Sequence, residues 1–176
     1  MDKNILSARE AVQKDIQHIA DYWFNADADY LKNMGVDITK MPAKDYFIEI
    51  LNIQFLLPYK DKKAYAVIWM VDGEAIGHSN LNPVDYGNDA YMHLHIWDKE
   101  NRKNGYGVEL IKLTLPYFFK NLNLKRIYCQ PYALNPGPNK TLEKAGFKFV
   151  KEYITTPGTI TFEQPVKLWE IDNSHG

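Results

Sequence analysis

Two stretches of this chain carry residue types that do chemistry when they stand close together. The first is Arg102-Lys103-Asn104-Gly105-Tyr106-Gly107, set between an alternating run at residues 91–97 and an apolar, helix-like run from Val108 onward. A strand, a basic turn, two glycines one residue apart and a helix together make a seat for an anion. The helix N-terminus offers free N–H groups and a partial positive charge. Glycine lets the backbone approach the anion without an intervening Cβ, and Arg102 and Lys103 bring charge that pairs with phosphate oxygens. The second stretch is Tyr91-Met92-His93-Leu94-His95-Ile96-Trp97, where alternation sets His93 and His95 on one face with Tyr91 and Trp97. Imidazoles next to such a seat are candidates for moving a proton beside a bound pyrophosphate-bearing cofactor. Equally, paired glycines can relieve crowding in a turn, and strand histidines can be hydrogen-bonded interior residues.

Spacing removes two cofactor classes. A dinucleotide fingerprint needs a third glycine three residues after the second, and Leu110 stands there. A nucleoside-triphosphate loop ends in Gly-Lys-Ser/Thr, a triplet absent from the sequence. The remaining pattern, Arg-x-x-Gly-x-Gly opening a helix, resembles the acyl-CoA motif of the GNAT superfamily of N-acyltransferases. A second stretch agrees with it. Asn135-Pro136-Gly137-Pro138-Asn139-Lys140-Thr141-Leu142-Glu143-Lys144-Ala145-Gly146-Phe147 reads as a short helix, with Pro138 at its first position and Gly146 as the left-handed residue after its last turn. It is similar to the second GNAT signature, in which an Asn precedes a short helix ending in Glu-Lys-x-Gly-Phe.

The resemblance implies acetyl-CoA as the acyl-donor cosubstrate, held by Ile96 and Trp97 at the strand end, by residues 102–107 (Asn104 and Tyr106 among them), and by Asn135 and Asn139. It implies an N-acetyltransferase in which the primary amine of a small molecule or protein N-terminus attacks the thioester directly in a ternary complex. A non-catalytic acyl-CoA-binding sensor or interaction domain is the alternative, since an intact phosphate loop looks the same in both. An amine with a pKa of about 10.4 is protonated at neutral pH, so attack needs a base or a water chain leading to one. Backbone N–H groups of the strand would polarise the thioester carbonyl. His93, which matches a His of the siderophore branch, is the expected acid–base group, with His95 second. A metal reading of His-x-His lacks a third ligand at a persuasive spacing, His78 alone being offered, so no metal is expected. Leu142 stands where many GNAT members carry a Tyr that protonates the thiolate, and Pro138 where the ribosomal-protein branch often has Ser. The leaving group is therefore expected to depart unassisted or through water.

The elements that must position these residues follow from periodicity. A strand at residues 5–10 precedes a helix capped by Asp15 with Ile16, Ile19, Ala20 and Trp23 at helical spacing. Residues 25–41 read as irregular. A second helix spans 43–56, with Phe47, Ile50, Leu51 and Phe55 on one stripe and Pro58 ending it. Strands at 64–70 and 75–81 flank Asp72-Gly73, a hairpin signal. Pro116 is expected to bend or split the helix that begins at Val108. A strand at 126–130, the short helix, and strands at 148–154 and 161–171 complete the order β-α-α-β-β-β-α-β-α-β-β. That order implies an α/β fold, a mixed, twisted sheet of about seven strands with helices on both faces in one domain over residues 1–176, and it resembles the element order of the GNAT fold. The 176 residues, 45% hydrophobic and 14% aromatic, suffice for a core. A net charge of −1 without blocks of like charge gives no support for nucleic-acid or membrane-surface binding. Lacking a signal core and any apolar run near the roughly 18 residues that span a bilayer, the protein is expected in the cytoplasm, as a monomer or homodimer. The single Cys129 reads as a small buried hydrophobe.

Overall fold

The structure, a computed structural model, describes residues 4–102 and 104–174. Lys103, expected at the cofactor, therefore lies outside the described residues. Seven strands form a single sheet: β1 (Leu6–Glu10), β2 (Tyr65–Val71), β3 (Glu74–Asp85), β4 (Asp89–Ile96), β5 (Arg126–Cys129), β6 (Lys148–Thr155) and β7 (Gln164–Asp172). Their spatial order is β1-β2-β3-β4-β5-β7-β6. All neighbours are antiparallel except β4 and β5, which the crossover through a helix makes parallel. Asp72 and Gly73 both adopt positive φ in the β2–β3 hairpin, as an Asp-Gly turn requires.

Side chains alternate across this sheet and fill two layers. Val67, Trp69 and Val71 of β2 face α4 (Tyr106–Leu122), whose Leu110, Ile111, Phe118 and Leu122 are fully buried in the larger core. Ile68 faces the other way, toward Ile19 of α1 (Ile16–Phe24) and Phe47, Leu51 and Phe55 of α3 (Lys44–Leu56). Helices thus cover both faces, as expected. Ile50 does not join that stripe; it is exposed. The segment read as irregular contains a short helix, α2 (Ala28–Asn33), capped by Asp27, whose carboxylate accepts from the Asp29 and Tyr30 N–H groups. Six residues are too few to show a periodic pattern, so the cap is its only trace in the sequence.

Three local expectations are corrected. Asp15 does not cap α1. Its carboxylate turns back to the Val12 N–H at 2.8 Å and to both terminal nitrogens of Arg9 at 2.7 and 2.8 Å. Pro116 does not split α4, which runs unbroken through it. An internal proline costs about 3 kcal/mol. Each buried large side chain on either side of it returns about 1.5–3 kcal/mol, and Thr114 ties the turn through Leu110 O and Trp69 Nε1, both at 2.8 Å. In the short helix α5 (Pro136–Lys144), Pro136 rather than Pro138 takes the first position after Asn135. Gly146 does close it, at φ 98°.

The feature that positions the site is a divergence. β4 and β5 pair only over Asp89–Arg126, Ala90–Ile127 and Tyr91–Tyr128. β4 continues to Ile96, paired on its other side with β3. Beyond Cys129 the chain follows β7 instead, with Ala133 N donating to Pro165 O and Lys167 N to Pro131 O. A wedge opens between the two strands, and each diverging end leads into a helix, α4 or α5.

Candidate active site

The wedge edge of β4 is main chain. Trp97 N donates to Ile76 O of β3 at 2.9 Å. In an antiparallel ladder, direction alternates, so His95 and His93 also turn their polar backbone toward β3 while Leu94 and Ile96 turn theirs into the wedge. Beyond the strand, Gly105 at φ 79° is the N-cap of α4, and among the described residues no side chain caps that end. The first N–H groups of a 17-residue helix therefore point outward beside the wedge. The two glycines do different work. A Cβ on Gly105 would meet nothing within 4 Å, and its backbone is one that only glycine adopts readily. A Cβ on Gly107 would come within 3.0 Å of the Thr141 methyl, so Gly107 lets α4 approach α5.

Arg102 is not aimed at this helix end. Its Nε and Nη2 donate to Ile96 O and Trp97 O, each at 3.1 Å, and its guanidinium carbon lies 3.9 Å above the Tyr30 ring. It pins the end of β4 to α2. Asn104 donates to Glu100 O, and the Tyr106 ring packs at the rim of the core. Of the two asparagines, Asn135 is half-buried and its side chain makes no hydrogen bond to a described residue. Asn139 is buried and spent on the fold: it donates to Tyr132 O and Asn135 O and accepts from Trp169 Nε1 at 2.9 Å. The structure thus brings Ile96, Trp97, Gly105, Tyr106, Gly107 and Asn135 around the wedge and leaves Asn139 as the knot behind it.

His93 and His95 share the face of β4 opposite α4, with their rings 6.5 Å apart. His93 Nε2 lies 2.9 Å from the Asn82 carbonyl oxygen, which only accepts, so Nε2 carries the proton and Nδ1 the lone pair. His95 stacks on His78 of β3 at 4.7 Å between centroids and is flanked by Tyr22 and Trp23 of α1. The Trp97 indole donates to His78 Nδ1 at 2.8 Å. Burial pushes the His78 imidazole down to about 3. It lowers His93 as well, against the pull of the Asn82 carbonyl. His95 is held well below its usual value by burial and then by His78 and His93. All three are neutral near pH 7. His78, the one residue that could complete a metal set, is engaged with Trp97; among the described residues no group of three or more His, Cys, Asp or Glu is placed to hold a metal.

On this same face lies a cavity of about 580 Å³. Its wall includes Tyr22 and His18 of α1, Asp27 and Tyr30 at α2, Glu74 of β3, and Trp97, Asp98 and Arg102 at the end of β4. Four carboxylates (Asp21, Asp27, Glu74 and Asp98) face two cations, Lys99 and Arg102. Asp21 is paired with Lys44 at 2.7 Å. Sequence reasoning assigns none of Tyr22, Glu74 and Asp98 to the site. These meet only through the β2–β3 register and the packing of α1, for which no local pattern exists.

A mixed sheet that splays between two parallel strands, with a glycine-opened helix at the splay, has the layout that the resemblance to acyl-CoA-dependent transferases implies. Comparison with known proteins agrees. The acetyltransferase (GNAT) domain model matches residues 6–148. The chain belongs to this family and transfers an acetyl group from acetyl-CoA to an amine. No curated protein matches the sequence. Similar solved structures include spermidine N-acetyltransferase from Vibrio cholerae in complex with CoA and spermine, at 22% identity over 96% of each chain with a TM-score of 0.74. A single-residue mutant of that protein is 22% identical over 96% of this chain and 94% of that one, with a TM-score of 0.72. A dodecameric form of the same enzyme in an intermediate state is 21% identical over 96% of this chain and 94% of that one, with a TM-score of 0.71. At these identities the likeness is one of fold. Among the described residues no helix is long and apolar enough to cross a membrane. Leu142, where the resemblance implies a Tyr, is fully buried in the core.

Proposed function

We propose that this acetyltransferase acts on a primary aliphatic amine that carries at least one further positive charge. The observation that carries the reading is the carboxylate- and aromatic-lined cavity, which shares Arg102 with the glycine loop and Trp97 with the end of β4. In this reading the CoA pyrophosphate sits on the N–H groups that follow Gly105, the pantetheine arm lies along Leu94 and Ile96 with Asn135 beside it, and the thioester reaches the end of β4. Main-chain N–H groups facing the wedge then polarise its carbonyl. Asp98, Glu74 and Asp27 attract the distal ammonium, and Tyr30 and Trp97 offer aromatic faces to a cation. The spermine in the complex of the Vibrio cholerae relative is an amine of this chemistry. His93 and His95 both stay in the proposal as proton-handling groups on the acceptor side of β4.

The test is thiol release from acetyl-CoA with an amine panel: a triamine such as spermidine, a diamine, a monoamine of equal length and a peptide with a free N-terminus. Each distal ammonium bound by a carboxylate contributes about 1.5–3 kcal/mol, which is roughly 10–100-fold in kcat/KM. The expected order is triamine or diamine well above monoamine. A peptide preferred over every polyamine, or a monoamine equal to the diamine, overturns the reading.

A further inference from the structure

The cavity and the histidines of β4 are joined by a chain of hydroxyl groups that runs through α1. Tyr30 Oη lies 3.1 Å from Tyr22 Oη, and Tyr22 Oη lies 3.2 Å from His95 Nδ1. Tyr22 and Tyr30 both line the cavity, whereas His95, 8% exposed, is sealed behind Tyr22, Trp23 and His78. From His95 Nδ1 the hydrogen-bonded way toward the cavity among the described residues is through the Tyr22 hydroxyl. We propose that Tyr30, Tyr22 and His95 form the relay that takes the acceptor amine's proton as it attacks the thioester. The proposal rests on the cavity being the acceptor's.

The ammonium first loses one proton to solvent, giving the free amine. As the N–C bond forms and the C–S bond breaks with its electron pair going to sulfur, the nitrogen's remaining excess proton passes to Tyr30 O. Tyr30 hands its own proton to Tyr22 O, and Tyr22 hands its proton to His95 Nδ1. Returned along the same chain, the proton ends on the thiolate, so amide and free thiol are the products. Burial pushes the Tyr22 phenol far above its ordinary value, so Tyr22 can only accept and donate together and never holds a negative charge. Its third neighbour, Met34 Sδ at 3.4 Å, is too weak an acceptor to hold the hydroxyl away from His95. The charged or titratable groups facing His95 are Tyr22 from α1, His78 from β3 and His93 from β4; burial among them disfavours its imidazolium, which makes the proton's stay brief. Tyr30 touches the acceptor in this scheme, while Tyr22 and His95 act through it.

Tyr22→Phe and His95→Gln test it on the full chain, with the best amine of the panel. Each variant is expected to lower kcat by roughly 10²-fold, the low end of what a positioned acid–base group supplies. The KM for acetyl-CoA should stay within about twofold. The double variant should be no slower than either single one, because the two groups act in series. The pH dependence of kcat should lose the same limb in both. Variants that match wild-type kcat while unfolding at lower temperature, or single losses that multiply, overturn the relay alone. So does a large loss in His93→Ala with none in Tyr22→Phe, which moves the base to His93 Nδ1. A wild type that releases no thiol with any amine overturns the acceptor reading and the relay with it.

Discussion

The donor side and the acceptor side of this site are built from different material. On the donor side the binding groups are main chain: N–H groups of an uncapped helix and the wedge-facing edge of β4. On the acceptor side they are side chains, gathered from α1, α2, β3 and the end of β4. Main-chain sites need particular backbone conformations, and those leave marks in sequence as glycines at fixed offsets. Side-chain sites need only proximity, which leaves none. One side of the active site is therefore constrained by motif and shared across a family, and the other is free to change with the substrate.

The sharpest way to break this comparison is at the two glycines, which look alike in sequence. Gly105 faces open space at positive φ, and Gly107 faces Thr141. A Gly105→Val side chain would project beside the α4 N-terminus and force a left-handed residue that costs about 1–2 kcal/mol. Loss of two charge-assisted N–H contacts at about 1.5–3 kcal/mol each predicts CoA binding weaker by roughly 10²–10⁴-fold by calorimetry. Gly107→Ala needs only a small shift of the Thr141 methyl, and Ala is the better helix former by about 1 kcal/mol. Its CoA affinity should change by less than about tenfold, since no phosphate contact is lost. Equal losses at both positions would mean that the phosphate seat is not where Gly105 places it.

The histidines test the acceptor face as a buried structure. His78, His93 and His95 are all depressed, first by burial. A depressed imidazole is neutral in the folded chain and protonates in the unfolded one, so its share of stability is complete above about pH 6.5 and is lost as pH falls. Each contributes a slope of up to about 1.4 kcal/mol per pH unit. For His78 the window closes near pH 3, its folded value. Carboxylates enter only below about pH 5. Urea unfolding compared between about pH 7.5 and about pH 5 should show a marked loss, and His78→Gln, which can still accept from Trp97, should flatten it by one proton's share. An unchanged slope in that variant would mean that His78 takes up its proton in the folded state.

Much of the frame was legible. Alternation and helical spacing located the seven strands and the longer helices, most of which turn one face toward the core. The Asp-Gly hairpin and Gly146 were legible because special backbone conformations demand special residues. What could not be read were contacts that exist only once the chain is folded. Asp15 looks like a cap until Arg9 is folded against it, and Arg102 looks like a phosphate ligand until Tyr30 comes to lie under it. Pro116 looks like a breaker until the buried residues around it are considered.

The pair of asparagines in α5 gives the finest test, because the two share a turn and a residue type yet belong to different classes of interaction. Asn135 opens the helix with a side chain that makes no hydrogen bond to a described residue. If that amide is reserved for the CoA arm, Asn135→Ala removes one neutral hydrogen bond, worth about 0.5–1.5 kcal/mol. The KM for acetyl-CoA should then rise roughly 2–10-fold, the acceptor KM should hardly move, and thermal stability should be nearly unchanged. Asn139→Ala should do the reverse. It strands the buried Trp169 indole N–H, at about 1–3 kcal/mol, and frees the Tyr132 and Asn135 carbonyls, so the protein should melt earlier. Any effect on acetyl-CoA would follow from loosening Asn135, and the Asn135→Ala change should then add little in the double variant. An Asn135→Ala effect confined to the acceptor would put that side chain on the cavity side of β4, and the division between a main-chain donor site and a side-chain acceptor site would have to be redrawn at α5.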